Sequence, residues 1–147
     1  MIKVLFNPGE YSTRIDTVLL LLRVGIGIFM LTHGMGKFTR LFGDEPIRFS
    51  DPLGVGAPIS LALAVFAEFF CSLLLIVGFA TRAAAIPLLI TMLVAALIVH
   101  ATDGFGKQEL PLLHSLVYLS LLIAGPGRFS IDHLIWSKYG SAQKGGS

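Results

Sequence analysis

Two charged residues stand inside long apolar runs: Arg23 within LLLLRVGIGIFML and Glu68 within LALAVFAEFFCSLLL. On insertion scales a charge at mid-membrane costs at least ~2.5–3.5 kcal/mol, so each needs a partner or a task. Each lies about 15 Å of helix from the end of its run nearest the other, with the runs taken to end at His33 and Pro58. That shared depth predicts an Arg23–Glu68 ion pair between adjacent antiparallel helices, in which the guanidinium fork grips the carboxylate with two hydrogen bonds. Two readings of the pair stay open. It fixes which helices face each other, or Glu68 lines a cavity and binds a polar headgroup or handles protons. Ala64, Glu68 and Ser72 follow an i, i+4 stripe, with Cys71 at i+3. Cys71 is the only cysteine. It forms no disulfide or C-x-x-C pair, so any redox chemistry here is not a dithiol cycle.

The histidines are the second signal. His33, His100 and His114 fall on one side of an antiparallel threading, with Lys37, Asp103 and Glu109 at that level, and His133 falls on the other. Imidazole donates a hydrogen bond to a quinone carbonyl and exchanges a proton near neutral pH. The candidate ligand-binding set is therefore Arg23, His33, Lys37, Glu68, His100, Glu109 and His114. No catalytic residue is assigned. There is no H-x₃-H or H-E-x-x-H spacing, so no metal site is expected.

These residues need apolar elements to carry them. The 147-residue chain is 54% hydrophobic and 14% charged, against about 25% charged in soluble domains. Its mean hydropathy is +0.81. Lipid is the expected solvent. The scattered basic residues exclude nucleic acid as a partner. A bilayer core of about 30 Å takes about 20 helical residues to cross. The expected spans are 15–35, 58–80, 83–100 and 110–124. Pro58 and Gly78 punctuate the second span, and Gly125-Pro126-Gly127 stops the fourth. Ser130 as N-cap and Asp132 in the first turn open a short interfacial helix with Trp136 and Tyr139. The fold class is thus an all-α integral membrane four-helix bundle with a short interfacial C-terminal helix. It forms one domain over residues 1–140, and residues 141–147 form a flexible tail. The long loop, residues 34–57, is expected to fold over one mouth of the bundle. Lys3, Arg14, Arg82, Arg128, Lys138 and Lys144 outnumber Lys37, Arg40, Arg48 and Lys107 on the opposite side, which favours cytoplasmic termini.

Arg23-Val-Gly25 followed by Thr32-His33-Gly34-x-x-Lys37 resembles the opening of the DoxX family. Ala67-Glu68, Leu75-x-x-Gly78-x-x-Thr81-Arg82, then His100 with Gly104-Phe105 and Glu109, continue the likeness in order. The closing Gly125-Pro126-Gly127-Arg128-Phe129-Ser130-Ile131-Asp132 completes it, so the resemblance covers residues 23–132. It implies a four-helix protein of the bacterial inner membrane. The family takes its name from a subunit of a thiosulfate:quinone oxidoreductase, and some relatives are linked to redox-stress complexes. The fold carries over more readily than the activity.

Two functions from different classes follow. In the first, the chain is the membrane subunit or accessory of a quinone-linked redox system. A quinone or similar polar-headed ligand then sits at the outer mouth near His33, Glu68, His100 and Glu109, under the long loop. In the second, it is a non-catalytic scaffold or assembly factor that holds partner proteins. The first implies redox partner subunits besides the lipid bilayer, and either is compatible with a homo-oligomer.

Overall fold

The computed structural model describes residues 7–140, with the side chains of residues 139 and 140 left out. The expected flexible tail and two of the counted cations, Lys3 and Lys144, lie outside the described residues. Helix α1 is Thr13–Leu41 and α2 is Ala57–Val77. Helix α3 is Thr81–Val99, α4 is Phe105–Ala124 and α5 is Ile131–Gly140. No strand occurs among the described residues. The first three helices are each long and apolar enough to cross a membrane. Helix α4, 20 residues long, reaches about 30 Å and packs along α3, while α1 packs along α2.

The bundle is apolar outside and keeps its ionisable groups inside, within a core that includes Leu19, Met30, Leu75, Leu88 and Leu121. Leu21, Phe29, Leu63, Leu116 and Ile123 are exposed, whereas Asp16, Arg23, Glu68, Ser72, Thr81, His114 and Asp132 are buried. That arrangement is what lipid demands, since ionisable groups in a bundle turn inward when the surroundings are hydrocarbon.

Two turns of the bundle are π-helical: Phe66–Cys71 within α2, which carries Glu68, and Ala95–Val99 at the end of α3, which delivers His100. Such bulges insert a residue into a helix and re-aim the side chains around it.

The expected Arg23–Glu68 pair is not formed. Arg23 Nη1 donates to Pro126 O at 2.8 Å and Nη2 to Phe129 O at 2.6 Å. The depth argument failed because α1 continues to Leu41 instead of ending near His33. Gly34, expected at the helix end, is inside it, and a Cβ there would lie 2.6 Å from the Glu68 carbonyl. The close approach sets the register: Gly34 is level with Glu68, and Arg23 is about 16 Å further along the axis.

Arg23 belongs instead to a polar floor at the α5 end. Asp132 accepts from the Ala80 and Thr81 N–H groups at 2.7 and 2.9 Å, capping α3 from a distant segment. This clamp holds Ala80 in the left-handed region at φ 49°, a conformation that costs a non-glycine residue roughly 1–2 kcal/mol. Arg82 donates to the last carbonyls of α4, those of Leu122, Ile123 and Ala124. Asp16 accepts from the Arg128 N–H at 3.0 Å. Ser130 caps α5 through the His133 N–H at 3.1 Å, as its position predicts. Gly78 (φ 72°) lies against the Arg23 guanidinium, where a Cβ would come within 2.6 Å of Nη1.

Candidate functional site

At the opposite end, Lys37 stands one helical turn beyond Gly34, and so on the face that meets α2. Its Nζ donates to both carboxylate oxygens of Glu68. Glu68 is 2% exposed, while the Lys37 side chain keeps 28% of its surface accessible. The Phe49 ring lies 6.0 Å from the Lys37 ammonium.

The pair is a wall shared by two cavities. The first, of about 510 Å³, lies between α2 and α3 under the connection formed by residues 42–56. It is lined by Leu63, Phe66, Ala67, Ile90, Thr91 and Val94 from the helices and by Phe49, Pro52 and Leu53 from the connection. The second, of about 350 Å³, lies between α1, α3 and α4 and is lined by Met30, His33, Met92, Lys107 and His114. Lys37, Glu68, Ala95 and His100 border both. One chamber is thus apolar and the other is rich in imidazole and ammonium groups.

His100 Nδ1 lies 2.8 Å from Asp103 Oδ2, and Lys107 lies 3.4 Å from the same oxygen. The hydrogen bond from His100 and the nearby Lys107 charge hold the Asp103 carboxyl below the usual range. His114 is buried, with Nδ1 donating to Leu110 O at 2.9 Å and Nε2 without a hydrogen-bond partner. Asp51 anchors the connection: it accepts from the Ser60 hydroxyl at 2.7 Å and from the Gly56 and Val55 N–H groups. The Ser60 hydrogen bond, then those from the backbone, hold its carboxyl low.

The DoxX family profile matches residues 18–101, which include α2, α3 and most of α1. The chain belongs to the DoxX family. It is 30% identical to the inner membrane protein YqjF of Escherichia coli, over 84% of this chain and 96% of that one. An uncharacterized membrane protein of Mycobacterium tuberculosis is 32% identical, with 76% of this chain and 77% of that protein covered. An uncharacterized protein of Haemophilus influenzae is 33% identical, over 80% of this chain and 90% of its own length. No solved structure matches.

The DoxX-like residues divide between the two ends. Arg23, Gly78, Thr81, Arg82 and the segment 125–132 build the floor. His33, Gly34, Lys37, Glu68 and His100 build the mouth. Of the candidate residues, the structure brings His33, Lys37, Glu68, His100 and His114 to one cavity. Arg23 is on the floor, and Glu109 is exposed and lines neither chamber. The connection covers the apolar chamber and not the histidine-lined one. The expected stripe also divides: Ala64 and Glu68 border the apolar chamber, and Cys71 and Ser72 are buried away from it. Among the described residues no group of three His, Cys, Asp or Glu side chains is arranged to hold a metal ion.

Sequence reading passed over Tyr118, which is fully buried with its hydroxyl unpartnered and its ring 6.4 Å from that of His114. It is four residues after His114, on the same face of α4, and that spacing was the available signal. The Lys37–Glu68 pair had a signal too. Gly34 and Lys37 are one turn apart, and no proline interrupts residues 15–41.

Proposed function

We propose that this DoxX protein is the membrane subunit or accessory of a quinone-linked redox system and binds the polar head of a lipid-borne quinone at the Lys37–Glu68 pair. One observation carries the reading. A half-buried ion pair held only by side chains, with its carboxylate fully inside, forms the end wall of an apolar cavity of about 510 Å³, within the range of small-molecule sites. The apolar walls suit a hydrocarbon tail and the end wall suits its head. A quinone carbonyl accepts a hydrogen bond from the Lys37 ammonium, and a hydroquinone hydroxyl donates to the Glu68 carboxylate or to a neutral imidazole nitrogen. The chain supplies binding and proton exchange. Electrons pass to or from a flavin, haem or iron–sulfur partner subunit.

The scaffold reading accounts for the floor, where charges hold backbone together. It gives no reason for an ion pair between two chambers. The bacterial inner membrane is the proposed location, in keeping with the name of the Escherichia coli relative. Cytoplasmic termini are proposed on the sequence count of basic residues, in which Lys3 and Lys144, outside the described residues, supply the excess.

The test is solvent extraction of protein purified in mild detergent, with quinones quantified by mass spectrometry. Near-stoichiometric quinone in the wild type, lost in Glu68→Gln and His100→Ala variants of unchanged elution profile, is the expected result. Quinone no higher than in an unrelated four-helix membrane protein from the same membranes, or unaffected by Glu68→Gln, would overturn the reading.

A further inference from the structure

The ligand reading uses the apolar chamber and leaves the histidine-lined one without a task. That second cavity ends on Lys37 and Glu68 and extends to Gly106 and Lys107, beside the exposed α3–α4 connection. We infer that it is a proton path joining Glu68 to the aqueous phase at that end of the bundle, with His114 as the relay.

The assignment rests on His114 itself. The residue is 7% exposed. Donation from Nδ1 to Leu110 O fixes the tautomer, so Nε2 carries the lone pair. That nitrogen is buried and unpartnered, a costly state for an acceptor unless water or a proton satisfies it. A chamber of about 350 Å³ has room for several waters at about 30 Å³ each. A proton from water on the outer side adds to Nε2, and the imidazolium passes it through water to a Glu68 oxygen. A hydronium O–H breaks as the imidazole N–H forms, and that N–H breaks as the carboxyl O–H forms. No electron moves. The charged and titratable groups that line the chamber with His114 are His33 and Lys37 from α1, Glu68 from α2, His100 from α3 and Lys107 from α4, and Tyr118 lies against the His114 ring. Ionisable groups kept inside a bundle at such a cost are the usual material of proton relays.

The path gives the proposed quinone site its proton supply and rests on that reading for its purpose, but its test needs no quinone. The full chain is reconstituted in liposomes of known orientation and treated with dicyclohexylcarbodiimide. This lipid-soluble reagent adds only to a protonated carboxyl, which rearranges to a stable N-acylurea. The apolar chamber is large enough to admit it. Mass spectrometry locates the adduct. Glu68 is expected to be labelled, at a rate that follows the pH on the Lys107 side and ignores the pH on the α5 side. After a pH jump on the Lys107 side, His114→Leu should slow the response several-fold without changing the final extent. Gly106→Trp should do the same by filling the opening, since a Cβ at Gly106 meets nothing within 4 Å. This second variant leaves the buried histidine in place should His114→Leu fail to fold. Labelling that follows the α5 side or neither side, no labelling of Glu68 at acid pH, or no effect of either variant would overturn the path. Missing quinone with this pattern intact would remove the ligand reading and leave the path standing.

Discussion

The two ends of the bundle hold buried charges in different ways. On the floor, Arg23, Asp132 and Arg82 bond to backbone carbonyls and N–H groups. At the mouth, Lys37 and Glu68 bond to each other, and both border open volume. A backbone partner cannot leave without unfolding something. A side-chain partner can be exchanged for a ligand or a proton. Burial alone therefore does not distinguish architecture from function in this membrane protein, and the nature of the hydrogen-bond partner does.

The comparison is broken most directly at Arg23. Arg23→Leu leaves Pro126 O buried without a donor, at about 1–3 kcal/mol, and takes from the part-buried Phe129 O its hydrogen bond as well. The expected result is loss of monodisperse protein on size-exclusion chromatography in detergent. Wild-type yield and melting would end the claim that the floor is architectural.

Asp132→Ala should cost a comparable amount, about 3–6 kcal/mol, because two charge-assisted hydrogen bonds to the α3 N-terminus disappear at about 1.5–3 kcal/mol each. Asp132→Asn should recover part of this, since an amide oxygen still accepts. Thermal unfolding of both variants provides the measurement.

Glu68→Gln sharpens the contrast. Its stability should stay within about 1 kcal/mol of wild type, because the amide still accepts from Lys37. Quinone capture should fall by at least roughly tenfold, equivalent to about 1.4 kcal/mol. Glu68→Leu should melt lower than Glu68→Gln, since leucine leaves the Lys37 ammonium with no acceptor at all. Equal melting of the two would contradict the pairing.

The smallest effect is expected at Asp51. Its carboxyl is held below the usual value in the folded state by Ser60 and the backbone N–H groups. The anchor therefore contributes fully above the unfolded value of about 3.9 and is lost as pH falls through the lower folded value. Hydrogen exchange at Val55 and Gly56, corrected for intrinsic rates, should rise only below about pH 4. Asp51→Ala should show the raised exchange at all pH values.

Much of the fold was legible in the sequence. Hydropathy located the apolar helices, Gly125-Pro126-Gly127 stopped α4, and Ser130 and Asp132 opened α5. Hydropathy reports the surrounding solvent, and a one-dimensional pattern suffices for that. The candidate site was partly legible. His33, His100 and His114 were placed at one level, and they line one cavity. Level does not fix direction around the axis, and Glu109, at the same level, points away from both chambers. The π-helical turns had no sequence signature that separated them from ordinary helix.

By itself the sequence determined that this chain folds as an apolar helical bundle with Arg23 and Glu68 inside it, while the burial of Asp16 and Asp132 had no signal there. Only the tertiary structure decided how these charges pair. Partner choice depends on the axial offset between helices, and that offset was set by the backbone approach of Gly34 to Glu68. With α1 continuing past Gly34 to Leu41, Lys37 stands opposite Glu68, and Arg23 meets the turn after α4. A shift of a few residues in where one helix ends moves a charge by a whole turn, about 5 Å, and that is enough to exchange one partner for another.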